Sequence, residues 1–153
     1  KFSKSLKSGY IFAAHFYKTI HPSMNAFLSL GRWFFATPFA VFGLFHLMGG
    51  EAMADAVVPS YMPAKVVWVY LSGLGLIVAS VAMLTGKYDK LAAVLLAVFL
   101  LIMVLLIHVQ VAMLSADPRL SQMGMSNLLK DLSLAGGALM YARHYATDRS
   151  VIG

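Results

Sequence analysis

The sequence predicts an all-α integral membrane protein, a bundle of four membrane-spanning helices preceded by an amphipathic interfacial helix. Of the 153 residues, 60% are hydrophobic and only 12% are charged, which is more apolar than an ordinary soluble domain. The apolar residues form four long runs, and each approaches the ~20 residues that a helix needs to cross the hydrocarbon of a bilayer. A chain of this length has room for one such bundle.

Residues 1–30 are expected to form a basic amphipathic interfacial segment followed by a lead-in helix. Pro22 suits the first position of a helix and predicts a new helix start there. Before it, apolar side chains recur at steps of three and four and lysines occupy other positions: Phe2, Leu6, Tyr10, Ala13, Tyr17 and Ile20 against Lys1, Lys4, Lys7 and Lys18. This pattern is typical of a helix that lies flat on a membrane surface.

The bundle is predicted to occupy residues 31–146, and a cytoplasmic tail follows at 147–153. Pro38 is expected to kink the first span. The four spans are expected at about 32–48, 66–84, 91–114 and 127–145.

Three connections separate these spans. The first connection is predicted at 49–63, from its Gly, Pro and acidic residues, and the second is a tight basic turn at 86–90. The third is predicted at 115–126, and Ser126 is a candidate N-cap of the fourth span. In the second span, small residues at helical spacing predict close packing against another helix: Ser72, Gly75, Ala79 and Ala82.

The basic residues predict the orientation. Nine lie on the side of the termini and the 86–90 turn, and three lie on the other side: Lys1, Lys4, Lys7, Lys18, Arg32, Lys87, Lys90, Arg143 and Arg149 against Lys65, Arg119 and Lys130. The positive-inside rule therefore places both termini in the cytoplasm. The net charge of +6 is explained by this topology and by contact with the lipid bilayer, so nucleic acid is not an expected partner.

Polar residues interrupt the apolar runs at one depth. With a rise of ~1.5 Å per residue, they lie roughly 6–9 Å below the outer boundary. Polar and ionisable groups inside a membrane are costly and commonly mark a functional site. We expect six of them to form a ligand-binding layer, in which Lys130 and Asp131 are paired and coupled to His108: His46, Tyr70, His108, Asn127, Lys130 and Asp131.

A structural explanation of these residues stays open. Lys130 can extend to the outer surface, Asp131 can pair with it or with a helix N-terminus, and each histidine alone can be a hydrogen-bonded packing residue. The convergence of polar groups from four spans favours a pocket instead.

Three ligands fit such a layer to different degrees. Two histidines at equal depth can ligate haem b, and a His/His/Asp set has metal-ligand chemistry, but neither has a tight spacing motif, so we assign no metal site. A quinone headgroup needs hydrogen-bonding side chains and an apolar sleeve, and both are present. The chain contains no cysteine, which excludes thiol catalysis and thiolate ligands, and no catalytic residue is assigned.

Several motifs resemble the DoxX-like family of small four-helix membrane proteins. They cover about residues 31–142: Gly-Arg-Trp at 31–33, Phe-Gly-Leu-Phe-His at 42–46, Val-Pro-Ser-Tyr-Met-Pro at 58–63, Val-Tyr-Leu-Ser-Gly at 69–73, Gly-Lys-Tyr-Asp-Lys-Leu-Ala at 86–92, Leu-Ile-His at 106–108 and Asn-Leu-Leu-Lys-Asp-Leu-Ser-Leu-Ala-Gly-Gly-Ala-Leu at 127–139. The resemblance implies a bacterial plasma membrane protein near quinone or sulfur metabolism. An acidic residue often present in the second span of that family is missing here, where Leu74, Gly75 and Leu76 follow Gly73.

These observations predict a membrane subunit or anchor of a quinone- or sulfur-linked redox system, with an outer polar pocket for a quinone-like molecule. The expected partners are other membrane or redox subunits, and self-association is compatible with the sequence. The alternative is a non-catalytic docking subunit of a larger complex. The sequence leaves open whether the chain itself is an enzyme.

Overall fold

The computed structural model describes the backbone of residues 2–153 and the side chains of residues 24, 26–56 and 58–153. Over this part of the chain the fold is entirely helical, as the sequence predicts. The helices are α1 Phe2–Met48, α2 Gly50–Val57, α3 Lys65–Thr85, α4 Asp89–Met103, α5 Val109–Leu114 and α6 Pro118–His144, and a π-helical turn, Val104–His108, joins α4 to α5.

The chain divides into two compact units, Lys1–Phe34 and Phe35–Gly153. The first unit consists of the N-terminal part of α1, in which the Ser29 hydroxyl donates to the Ala26 carbonyl (2.6 Å). The backbone is helical at Pro22, so the predicted new helix start at this residue is wrong. The predicted membrane-surface face of residues 1–20 lies outside the described side chains.

Three helical segments of the described chain are long and apolar enough to cross a membrane: Ala26–Met48, Lys65–Thr85 and Asp89–Leu114. They correspond to the first three predicted spans. Helix α6 is long enough, with 27 residues, but it is not among them. Its polar residues Asn127, Lys130 and Asp131 lower its hydropathy, so only three of the four predicted spans are supported by length and composition.

Helix α6 begins nine residues earlier than the predicted fourth span. The Asp117 carboxylate accepts a hydrogen bond from the Arg119 backbone N–H (2.8 Å), and Pro118 occupies the first helical turn. An acidic N-cap followed by proline is a strong helix start, whereas Ser126 lies inside α6. The predicted third connection therefore shrinks to residues 115–117, and the first one contains α2.

One hydrophobic core is shared by α1, α3, α4 and α6 within the second unit. Its buried residues are Ala36, Phe39, Leu76, Ala79, Met83, Ala93, Leu96, Ala97, Leu100, Ala135, Ala138, Tyr141 and Ala142. Many of them are alanines, which lets the helices approach closely. Large apolar side chains such as Leu74, Leu105 and Leu129 point outward instead, as expected for a surface that faces hydrocarbon.

The backbones of helices α1 and α3 approach each other closely. A Cβ atom on Gly43 would lie 2.5 Å from the Gly73 carbonyl oxygen, and the buried Ser80 hydroxyl donates to the Ala36 carbonyl (2.8 Å). Gly75, which the small-residue pattern placed against another helix, has open space around its Cβ position. The close contact therefore uses Gly73, which lies on a different face of α3.

Asp89 links the α3–α4 turn to the segment after α6, at the end of the fold opposite the α5–α6 connection. This carboxylate is fully buried and accepts five hydrogen bonds, which come from the Lys90, Thr147 and Asp148 backbone N–H groups and the Thr147 and Tyr141 hydroxyls. Asp148 in turn accepts from the Tyr88 N–H (2.8 Å). Hydrogen bonds from Ser150 and Tyr88 lower the pKa of Asp148 to about 2, so its carboxylate stays charged at neutral pH. The predicted tail is thus docked on the 86–90 turn.

Candidate functional site: a histidine pocket beside α6

The helix that carries His108 is locally wider than an α-helix. Over Val104–His108 the backbone is π-helical, and the Val109 N–H donates to the Val104 carbonyl, five residues back. A π turn accommodates an extra residue without ending the helix, and such turns are frequent at functional sites. Here the π turn ends at His108, which faces α6.

His108 contacts an acidic residue of α6. Its Nε2 lies 3.0 Å from Asp131 Oδ2, and both side chains are largely buried, with 14% and 10% exposure. The other carboxylate oxygen, Oδ1, lies 3.5 Å from the Lys130 ammonium group, whose side chain is 47% exposed. Lys130 and Asp131 thus lie within ion-pair distance, and the same carboxylate contacts His108, while the energetic coupling of the pair to His108 stays a prediction.

Asn127 completes this polar cluster. It lies one helical turn before Lys130, and its Oδ1 accepts a hydrogen bond from the lysine Nζ at 3.3 Å. The same ammonium group lies 5.4 Å from the centroid of the Phe42 ring on α1. Since an aromatic face attracts a cation, Phe42 supplies the α1 side of the cluster.

A cavity of about 400 Å³ adjoins the cluster. Its walls come from the end of α2 and the residues that follow it, from the π turn and α5, and from the first half of α6. His108 and Asn127 line it, together with the polar residues Gln110 and Ser115 and mainly apolar neighbours. This size and this mixture suit a small organic ring with a few polar groups.

The second ring nitrogen of His108, Nδ1, has no hydrogen-bond partner among the described residues, whereas Nε2 is held by Asp131. The described chain contains no buried side-chain nitrogen or oxygen without a partner, so Nδ1 is not sealed inside the protein. His108, which lines the cavity, therefore has one nitrogen held by α6 and one accessible nitrogen.

Two of the predicted site residues lie elsewhere. His46 Nδ1 donates to the Phe42 carbonyl (2.7 Å), and its Cβ packs where a side chain on Gly73 would lie. Tyr70 is 41% exposed and its ring packs on Gly50. Neither lines the pocket. The structure thus brings together His108, Asn127, Lys130 and Asp131, whose ligand-binding role stays a prediction. A ligand-binding role of His46 and Tyr70, also untested, would require a site other than this pocket.

The alternative ligands fit this geometry less well. The paired histidines expected for haem do not face one cavity, because His108 lines the pocket and His46 does not. Among the described side chains, no three His, Asp or Glu residues converge as metal ligands. The pocket offers hydrogen bonds and apolar contacts, which suit an organic ligand.

Two contributions to the site and its support were missed from the sequence. Gln110 lines the cavity and is an uncharged polar residue in an apolar run, which is a signal that sequence reading can use. The wall formed by Ala56, Val58 and Pro59 depends on the unexpected helix α2, and no periodic pattern announces it.

The fold and the pocket define a small all-helical protein with apolar helices suited to a membrane and a histidine-lined cavity. A family model described as "Domain of unknown function (DUF8561)" matches residues 35–141, well over half of the chain. The chain therefore belongs to this family, and the match includes His108, Asn127, Lys130 and Asp131. No curated protein and no solved structure matches the chain.

Proposed function

We propose that the protein is a four-helix bundle in the bacterial plasma membrane. The four membrane-spanning helices are α1, α3, the continuous helix α4–α5 and α6. Three of these segments have the required length and apolar composition. Helix α6 has 27 residues, or ~40 Å, and it shares the buried core of the other three. Its least favourable group in hydrocarbon, the Asp131 carboxylate, is turned into the protein.

The distribution of basic residues orients this bundle with both termini in the cytoplasm. We expect single cysteines at Lys87 and Asp117 to be labelled from opposite sides by a membrane-impermeant maleimide, since the native chain has no cysteine. In intact cells only the Asp117→Cys variant should react, and Lys87→Cys should react after permeabilisation. The reverse pattern would contradict the orientation.

We propose that the pocket beside α6 binds the headgroup of a quinone-type molecule and that the protein is a membrane subunit of a quinone- or sulfur-linked redox system. The observation that carries this proposal is that His108 lines the cavity, is held by Asp131 through Nε2 and has no partner for Nδ1 among the described residues. The apolar walls suit the headgroup ring, and His108 and Asn127 suit its oxygens. The redox setting is what the resemblance of the sequence motifs to DoxX-like proteins implies.

Electron transfer in such a system needs further components. The chain has no cysteine, so thiol and sulfur chemistry must be supplied by another subunit or by a soluble partner. The part proposed for this protein is to bind the headgroup and to hold it against a hydrogen-bonding histidine.

Addition of ubiquinol-1, the reduced form of a short-tailed quinone, to the purified protein under anaerobic conditions is expected to raise its melting temperature by roughly 5 °C near saturation, because a ligand that binds only the folded state stabilises it. The variant His108→Ala should lose this shift. His46→Ala is the matched control, since His46 lies in a neighbouring span but outside the pocket, and it should retain the shift. Equal shifts in both variants, or no shift in the native protein, would contradict the proposal.

A second candidate function is docking of a partner subunit's transmembrane helix. An apolar groove of about 510 Å³ lies between α3 and α4, and its lining includes the small residues Ser72, Gly75, Ala79 and Ala82. Because Gly75 has open space around its Cβ position, a Gly75→Leu variant would fill the groove without disturbing the core. Absence of a ubiquinol-1 shift in the native protein, together with loss of a co-purified membrane subunit in the Gly75→Leu variant, would favour docking.

A further inference from the structure

We propose that the pocket selects the reduced, hydroxyl-bearing form of its ligand, a hydroquinone, over the oxidised quinone. This inference rests on the proposed function, because it concerns the same cavity and the same class of ligand. It follows from which donor and acceptor atoms of His108 and Asn127 remain free to bind a ligand.

The Asp131 carboxylate fixes the tautomer of His108. An ionised carboxylate can only accept hydrogen bonds, so the Nε2 atom at 3.0 Å from Asp131 Oδ2 must carry the hydrogen. In a neutral imidazole, the other nitrogen is then an acceptor with a lone pair. The nitrogen of this pocket-lining residue that has no partner among the described residues, Nδ1, is therefore a hydrogen-bond acceptor.

The two oxygens of Asp131 serve different partners. Oδ2 contacts the His108 imidazole at 3.0 Å, and Oδ1 lies 3.5 Å from the Lys130 ammonium group. Neither of these contacts involves His108 Nδ1.

Asn127 supplies the complementary donor. The Lys130 ammonium group can only donate, so the amide atom that faces it at 3.3 Å is the oxygen. The Asn127 amide nitrogen keeps its two hydrogens for other partners, and this residue lines the cavity. The pocket thus offers one acceptor, on His108, and one donor group, on Asn127.

A hydroxyl group matches this pair and a carbonyl does not. The oxygen of a hydroquinone hydroxyl can donate its hydrogen to His108 Nδ1 and accept from the Asn127 amide. A quinone carbonyl can satisfy Asn127, but it would set its own lone pairs against that of Nδ1. Binding the quinone therefore leaves the histidine acceptor without a partner, which costs affinity.

Dissociation constants for ubiquinol-1 and ubiquinone-1 test this preference, measured on the purified full chain by titration calorimetry under anaerobic conditions. We expect ubiquinol-1 to bind about tenfold more tightly, the effect of one net hydrogen bond. The dimethyl ether of ubiquinol-1 keeps the ring and the oxygens but has no hydroxyl hydrogen, so it should lose that advantage. Equal affinity for ubiquinol-1 and ubiquinone-1 would overturn the inference while the proposed function stands. Binding of neither would overturn both.

The variant Asp131→Asn tests the cause. An amide in place of the carboxylate can donate to Nε2, which moves the imidazole hydrogen to Nδ1 and turns the pocket nitrogen into a donor. The preference for ubiquinol-1 should then fall to within about twofold of unity. If the variant keeps the tenfold preference, Asp131 does not set the selectivity and the inference is wrong.

The tautomer can also be read in the native protein, which does not depend on the folding of any variant. In protein labelled with ¹⁵N-histidine, the His108 Nδ1 resonance should have the chemical shift of an unprotonated ring nitrogen and Nε2 that of a protonated one. The His108→Gln spectrum assigns these resonances by their loss. A protonated Nδ1 at neutral pH would overturn the inference.

Discussion

Replacement of Gly43 by alanine is expected to lower the free energy of unfolding by about 3 kcal/mol, because the new methyl group meets backbone that cannot rotate away. Its Cβ would lie 2.5 Å from the Gly73 carbonyl oxygen and 2.6 Å from Ile77 Cγ1. Relief requires α1 and α3 to separate, which would weaken the Ser80 hydrogen bond to the Ala36 carbonyl as well. The midpoint of unfolding in mixed detergent micelles, titrated with dodecyl sulfate, measures the effect.

The matched control for this prediction is Gly75→Ala on α3. Among the described residues, no atom of a neighbouring helix lies within 4 Å of the Cβ position at Gly75. Alanine also has the higher helix propensity, so this variant should be neutral or more stable by up to about 1 kcal/mol. Similar midpoints for the two variants would show that the α1–α3 contact is not as close as the structure has it.

Replacement of Asp89 by alanine is also expected to cost about 3 kcal/mol, since it removes the shared acceptor of a buried network. Of its five donors, the backbone groups of Thr147 and Asp148 would lose their partner on the 86–90 turn. We expect the segment after α6 to detach from this turn, which limited proteolysis and hydrogen exchange of residues 146–153 can detect.

Asp55→Ala serves as the control for a lost carboxylate. Asp55 is exposed on α2, so its removal should change stability by no more than about 0.5 kcal/mol. Asp89→Asn should fall between the two, because the amide keeps one accepting oxygen and nearly the same shape. An Asp89→Ala variant as stable as Asp55→Ala would contradict the fastening role of this residue.

The sequence predicted the apolar helices well, because a run of apolar residues reports burial in protein or lipid wherever it occurs. The connections were predicted less well. Gly49, Gly50 and Pro63 punctuate the first one, yet α2 forms between them by packing Ala54 and Val58 against Val69 of α3. The start of α6 was misplaced because both Asp117 and Ser126 can cap a helix, and local sequence alone does not rank them by their tertiary contacts.

In the candidate site, the depth of each side chain was predictable from the sequence, but its direction was not. The rise per residue fixes the depth of a side chain, so the meeting of His108 with Asp131 could be anticipated. Rotation about the helix axis, by 100° for each residue, decides which way a side chain points, and it depends on packing. For that reason His46 and Tyr70 share the predicted depth but not the pocket. The π turn before His108 changes this rotation locally, and nothing in the apolar run 104–107 signals it.

The hydrogen bonds between Asp89 and the segment after α6 affect the order in which the protein folds during synthesis. Its donors at Thr147 and Asp148 follow it by 58 and 59 residues, so a ribosome has to complete α6 before they exist. Until then, the Asp89 carboxylate of the α3–α4 hairpin has only the neighbouring Lys90 N–H and water as donors. Chain synthesis runs from the N-terminus, and closure of this end of the bundle is therefore a late event, after all the long helices have been made.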